Sequence, residues 1–426
     1  MTTADLKIMN MTRVSNGDGW QTTTYTMVGH TTNADLVTAV NNIDNFSHAA
    51  DRFWDDEHEI RSMWLEENAD GETERRSLIL SMKLTPIQEG KLGPLLGVTG
   101  AKYVLTIIHS EVWEKVANGN VAIANEPSLA GTVALAAIDG TYSGRIGIMA
   151  LDGDAASTSD LTTIWGGIKP VYTALTDFDP LIELELGTLV APAVTANGGA
   201  NASPTGAANN IVTYAATTSD VKIIYETLDD AFASVNYRHW HGDYLVLLRC
   251  KLSGAETVRV HVDWGYKYGT VFNRGPDVYV TNTDWMFLEM GEVSIPPFPR
   301  MDDLAISRYF EFQVYVQRMG AAITLSLDCL VLIPSKHFFK ITNALLEDDA
   351  ASHLYAYQNE DGTVFGYNIN AAGVVSMSVQ YAPNNFTYPV EGGILVLAAQ
   401  EAAVQNLADV IDGTLYYKER FRTHGE

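Results

Sequence analysis

The feature that most constrains this chain is a long succession of short apolar segments separated by glycine, proline and asparagine. They fall at Gly131–Ile138, Arg145–Leu151, Thr162–Trp165, Leu181–Leu186, Val221–Tyr225 and Tyr244–Lys251, and continue at Val258–Trp264, Val278–Thr281, Trp285–Ile295, Tyr309–Arg318 and Ile323–Ile333. Short β-branched and aromatic runs punctuated by turn residues predict antiparallel strands in a sandwich or jelly roll.

Two segments alternate cleanly. Along Val258–Trp264, Val258, Val260, Val262 and Trp264 share one face, and Arg259, His261 and Asp263 share the other. Along Tyr309–Gln317, Phe310, Phe312, Val314 and Val316 face inward, with Tyr309, Glu311, Gln313, Tyr315 and Gln317 outward. Side chains along a strand point alternately to its two faces, so one face of each is predicted buried and the other wet or in contact with a partner. The segment Ile323–Ile333 becomes apolar on both faces toward its end, as a central or covered strand does.

The opening third differs. Leu36, Val37, Val40, Ile43 and Phe46 recur at helical spacing, with Asn33 or Asp35 as a cap, which predicts one helix near residues 33–54. A hairpin is predicted from Arg61–Glu66 and Arg75–Lys83, followed by an extended segment over Ala101–Val112. Residues beyond Ile341 again read as strands, with Asp361-Gly362 as a hairpin turn. Leu186–Ser219 carries no charge before Asp220, and its centre, residues 191–211, is predicted to be a long exposed loop that contacts a neighbour.

A chain of 426 residues exceeds one small core and predicts two or three domains. No stretch approaches the roughly 20 consecutive apolar residues of a membrane helix, and the N-terminus lacks the basic-then-apolar layout of a secretion signal. The formal net charge of −25 argues against nucleic acid as a partner, because binding phosphates needs basic surface. Cys250 and Cys329, the two cysteines, lie in strand-like apolar runs; two strands of one sandwich could bring them together, and without an export signal they are expected as reduced core thiols.

No phosphate-binding glycine loop, nucleophile elbow, HExxH or paired CxxC is present. His239-Trp240-His241 would point two imidazoles to one side of a strand, with Asp243, His261 or Asp263 as a third metal ligand; the alternative is a polar strand end with Trp240 packed inward. The acidic clusters Asp55-Asp56-Glu57-Glu59 and Asp152-Gly153-Asp154 lack the twelve-residue calcium-loop pattern and read as solvated surface. The expectation is therefore no cofactor, no metal and no catalysis. Arg259, His261, Asp263, Tyr309, Glu311 and Tyr315 are the candidate contacts, either for a sugar stacked on the aromatic rings or for a protein partner.

Three stretches resemble tail proteins of tailed bacteriophages, in particular the distal-tail and baseplate-hub family. They are RSMWLEENADGETERRSLILSMKLTP with AKYVLTIIHSEVWE, then GDYLVLLRCKL through WMFLEMGEVSIPP to LSLDCLVLIP, and last PVEGGILVLAAQ with GTLYYKERF. The middle stretch is also similar to jelly rolls of the carbohydrate-binding type. The resemblance implies an all-β protein with a jelly-roll β-sandwich (121–340) inserted in a β-domain formed by both termini (1–120 and 341–426). It implies a structural virion protein of the tail tip, baseplate or fibre, assembled in the host cytoplasm and working in a symmetric multimer. Its implied partners are copies of itself, other virion proteins and a host-surface glycan. A carbohydrate-binding module for host recognition is the alternative, and a hydrolase of undefined type is a third reading that no constellation supports.

Overall fold

The structure is a computed structural model that describes residues 6–30, 64–67, 74–91, 99–152, 161–170, 178–184, 187–190, 194–198, 210–227, 240–266, 272–295, 310–346, 352–358, 363–370, 372–401 and 410–422. Among these the regular elements are β-strands and no α-helix occurs, so the all-β class is as expected. The helix predicted near 33–54 lies outside the described residues. The chain divides into two units, one of Met1–Gly119, Asp139–Ser143 and Lys418–Glu426, the other of Asn120–Ile138 and Gly144–Tyr417.

The first unit holds β1 (Leu6–Ser15), β2 (Trp20–His30), β3 (Trp64–Glu67), β4 (Arg75–Lys91), β5 (Thr99–Ser110) and β6 (Trp113–Lys115). They pair in the order β1-β2-β5-β4-β6, with β3 added to β4. The predicted hairpin is there: Trp64 faces Leu78 and Glu67 faces Arg75. The core is Tyr25, Met27, Ile79, Met82, Tyr103 and Ile107. Beside it sits His109, fully buried, with Nε2 2.7 Å from the Thr23 hydroxyl and Nδ1 2.8 Å from the Ser110 carbonyl. A carbonyl only accepts, so Nδ1 carries the proton, and burial holds the imidazole pKa below its ordinary value.

The second unit is built from β7 (Gly119–Pro127), β8 (Gly131–Leu135), β9 (Tyr142–Asp152), β10 (Leu161–Pro170), β11 (Leu181–Glu183), β12 (Thr188–Leu189), β13 (Val194–Gly198), β14 (Asn210–Ala215), β15 (Val221–Thr227) and β16 (Gly242–Leu252). Then come β17 (Val258–Tyr266), β18 (Asn273–Arg274), β19 (Val278–Val280), β20 (Met286–Ile295), β21 (Phe310–Arg318), β22 (Thr324–Pro334) and β23 (Phe338–Leu346). The last are β24 (His353–Gln358), β25 (Val364–Ile369), β26 (Val375–Ser378), β27 (Gln380–Asn384), β28 (Thr387–Tyr388), β29 (Gly393–Glu401) and β30 (Val410–Phe421). The end of β30 returns to the first unit, where Arg420 and Phe421 face Glu114 and Trp113 of β6.

Two layered cores fill the second unit. One lies between the sheet β27-β23-β10-β29-β8 and the strands β9, β24 and β25, and is made of residues such as Met149, Ile164, Phe339, Leu354 and Leu397. The other belongs to a sandwich whose sheets run β13-β14-β22-β16-β20, with β11 on β22, and β12-β15-β21-β17-β18, with β19 on β17. Its interior takes Val258, Val260, Val262, Phe312, Val314 and Val316, all fully buried, so the alternation in β17 and β21 does place the valines inside. Each such side chain contributes about 1.5–3 kcal/mol by leaving water. The strand β22 is central, pairing with β14, β16 and β11, which is why its sequence is apolar on both faces.

The region predicted as one long loop is partly a hairpin. Val194–Gly198 and Asn210–Ala215 pair from Val194–Tyr214 to Gly198–Asn210, and β14 then joins β22. Ile211, Val212 and Tyr214 are buried there, so packing decides the conformation of a segment whose small uncharged residues look loop-like. Residues 199–209 lie outside the described residues.

Gly167, in β10, allows the close approach of another strand end. A Cβ there would collide with the Pro334 carbonyl oxygen at the end of β22. Gly167→Ala is expected to lower stability by about 1–3 kcal/mol, the usual cost of overpacking, read from its urea midpoint. Gly147→Ala, whose new methyl would meet only the Arg145 guanidinium at 3.5 Å, is the control and should change little.

Candidate functional site on the outer face of the sandwich

Strands β17 and β21 are direct neighbours, and their register brings the predicted outward residues together. Arg259 faces Gln317, His261 faces Tyr315, Asp263 faces Gln313 and Gly265 faces Glu311. Directly opposed residues in an antiparallel pair share a face, so Arg259, His261, Asp263, Glu311 and Tyr315 stand on one surface. Tyr309 lies outside the described residues.

The surface is tied together by polar contacts. His261 has Nδ1 2.7 Å from Asp263 Oδ1 and Nε2 3.3 Å from Asp220 Oδ2. Its ring stacks on Tyr315 at 4.7 Å between centroids, with planes 6° apart. The Tyr315 hydroxyl donates to Gln313 Oε1 at 3.0 Å, and Gln313 Nε2 donates to Glu311 Oε1. Arg259 pairs with Asp220 at 3.0 Å and Asp277 at 3.5 Å, and Arg274 reaches Asp277 at 2.6 Å. Burial, then the charges of Asp263, Asp220 and Glu311, raise the Tyr315 pKa, so its hydroxyl remains a donor across the physiological range.

Neighbouring strands widen the surface. Tyr279 of β19 faces Arg259 and is 55% exposed. Lys222 and Tyr225 of β15 face Tyr315 and Gln313, with the Lys222 ammonium 5.3 Å from the Tyr225 ring. The sequence hides this pair. Three positions apart in a strand, they should point to opposite faces; a register shift between Lys222 and Ile224 turns both outward and buries Ile223 and Ile224. Asp220 precedes β15 and carried no signal of its own.

The face is partly closed: His261, Glu311 and Gln313 are buried and Arg259, Asp263 and Tyr315 are half-buried, so what it presents outward is the exposed Tyr279 ring beside Arg259 and the exposed carboxylates of Asp220 and Asp277. From Arg259 to Asp263 it extends ~13 Å along the strand. Among the described residues no group of three or more His, Cys, Asp or Glu is placed to hold a metal ion. The His-Trp-His motif resolves differently from a ligand set: Trp240 is buried edge-to-face on Phe178 at 5.3 Å and His241 is exposed, while His239 lies outside the described residues. Asp243 accepts from Ser294 at 2.6 Å in the opposite sheet from His261 and Asp263.

No protein-family model matches the chain, and no curated protein matches it. Among solved structures it is similar to the CBM36-1 domain of a multidomain xylanase from the hindgut metagenome of Trinervitermes trinervoides, at 12% identity and a TM-score of 0.25, over 36% of this chain and 96% of that one. The CBM22-1 xylan-binding domain from Paenibacillus barcinonensis Xyn10C matches at 14% identity and a TM-score of 0.23, over 43% of this chain and 99% of that one. The CBM22-1–GH10 modules of a Clostridium thermocellum xylanase match at 10% identity and a TM-score of 0.22, over 42% of this chain and 29% of that one. Likeness at these identities and TM-scores carries nothing about what this chain binds.

Proposed function

We propose that this protein recognises a glycan, without chemical change, on the outer face of β17 and β21. The observation that supports it is one face of adjacent strands on which the exposed Tyr279 stands beside the half-buried Arg259, Asp263 and Tyr315, with the buried His261, Glu311 and Gln313 holding these in place. Carboxylates among arginines and amides suit the hydroxyls of a neutral sugar, and Tyr279 and Tyr315 offer rings for its apolar side. A glycan array with the full chain, followed by calorimetry on the best ligand, tests this. Tyr279→Ala and Tyr315→Ala are each expected to weaken binding by ~1–2 kcal/mol, roughly tenfold. Tyr279 is exposed, so its loss leaves the fold unchanged; absence of any glycan binding by the unmodified protein sinks the proposal.

A second reading, that the chain is a structural subunit of a larger assembly, draws support from the first unit. There β1 leaves four apolar side chains in water. A virion address for that assembly, in a tail tip, baseplate or fibre, rests on the sequence resemblance alone. The two readings are compatible, because recognition and assembly would use different units of the chain.

A further inference from the structure

The strand β1 stands at the end of its sheet, with β2 as its one strand partner among the described residues. Its side chains do not suit a solvent edge. Ile8 is 60% exposed, Met9 67%, Met11 44% and Val14 62%. Edge strands in monomeric proteins are normally guarded by proline, by charge or by a bulge, since their unpaired backbone groups template another strand. Here the segment LKIMNMTRVS has no proline and no acidic residue, in a chain of net charge −25. Of its two cations, Arg13 is already paired with Glu67. One guard is present, a register shift between Ile8 and Asn10, and it leaves the run Asn10–Ser15 regular.

We infer that β1 is the place where a second copy of this chain adds its own β1, antiparallel and edge to edge, about a two-fold axis at Met11. The occupant follows from the sequence of the edge itself. A chain this acidic repels its own copies, and β1 is a stretch on which two copies meet without opposing carboxylates. The register follows from the same residues. An axis at Asn10 sets Lys7 against the partner's Arg13, and like charges directly opposed destabilise a strand pair. An axis at Thr12 sets Met11 against the partner's Arg13, Val14 against the partner's Asn10 and Met9 against the partner's Ser15, so no two apolar side chains meet. With the axis at Met11, the two Met11 side chains meet and Val14 faces the partner's Ile8, while Asn10 faces the partner's Thr12 and Met9 faces the partner's Arg13. Such a contact is isologous and closes on itself as a dimer, which larger symmetric assemblies can contain.

The test uses the full chain and reads mass. Light scattering across a concentration range should show a dimer or an even-numbered multimer for the unmodified protein. Met11→Lys and Val14→Lys each should shift the association midpoint at least tenfold to higher concentration, with an unchanged far-ultraviolet circular dichroism spectrum. Two substitutions are used so that a folding defect in one leaves the other informative. Met11→Cys should form an intermolecular disulfide on mild oxidation, whereas Lys7→Cys, set against the partner's Ser15, should not. The buried native thiols of Cys250 and Cys329 stay out of this reaction. A strict monomer, a mass unaffected by both lysine substitutions, or equal cross-linking at positions 7 and 11 overturns the inference. None of these readouts involves glycan binding, so this proposal fails separately from that one.

Discussion

Arg249→Met is expected to destabilise the sandwich by about 3–5 kcal/mol, enough to remove a large part of a domain's stability. Arg249 of β16 and Asp328 of β22 form an ion pair between neighbouring strands, with side chains 1% and 0% exposed. The guanidinium also lies over the Trp285 ring, 4.7 Å from its centroid. Removing the arginine leaves a carboxylate without its counter-charge in a site that water does not reach. The reverse change, Asp328→Leu, should cost a similar amount by stranding the guanidinium. The double variant Arg249→Met with Asp328→Leu should recover most of the loss, because neither desolvated charge remains. Urea unfolding of the four proteins measures this. Additive losses in the double variant would show that the two side chains stabilise the sandwich independently.

Lys169→Met should do the opposite at neutral and acid pH, stabilising the protein by ~1–3 kcal/mol at pH 6. Lys169, at the end of β10, is 7% exposed. Its ammonium donates to the His241 carbonyl at 2.6 Å and the Tyr244 hydroxyl at 2.5 Å, and lies 5.2 Å from the Phe178 ring. Burial is the cause that brings its pKa down to about 7, from the usual lysine value of 10.5. Between these two values the unfolded chain binds more protons than the folded one. Stability therefore rises with pH across that window by about 1 kcal/mol per unit, and is at its lowest below pH 7, where the folded state must hold the charge. Methionine removes the titration and leaves the His241 carbonyl without that donor, a loss of ~1 kcal/mol. The advantage of the variant should shrink as pH rises and reverse near pH 10. Thermal unfolding of both proteins from pH 6 to pH 10 reads the crossing; parallel curves would show that the amine titrates normally.

Much of the candidate site is legible in the sequence. The period-two pattern of β17 and β21 sorts Arg259, His261, Asp263, Glu311 and Tyr315 from the valines and phenylalanines, because side-chain direction along a strand depends on backbone geometry alone. The pattern is silent about which strands are neighbours. Pairing is set by packing between segments some fifty residues apart, so the meeting of His261 with Tyr315 belongs to the fold. Asp220, Lys222 and Tyr225 were missed for a second reason: a bulge breaks the period, and its position depends on the partner strand. Lys169 illustrates a third. Nothing in the sequence around β10 distinguishes it from a surface lysine, and its chemistry arises from Phe178, Trp240 and Tyr244, which arrive from elsewhere in the chain.

Composition and periodicity by themselves point to an all-β, acidic and layered protein and sort the polar from the apolar face of its two alternating strands; that His261, Glu311 and Gln313 on the polar face are buried belongs to the fold. These properties follow from local rules of side-chain direction and from the free energy of removing apolar groups from water, both readable from one strand at a time. The tertiary structure alone decides which strands are neighbours, that 194–198 and 210–215 form a hairpin, and that an arginine, an aspartate and a lysine are buried. It also decides that β1 is left as an edge among the described residues. Those outcomes depend on long-range pairing, where many segments of similar apolarity compete and the choice among them is made by the packing of the whole unit.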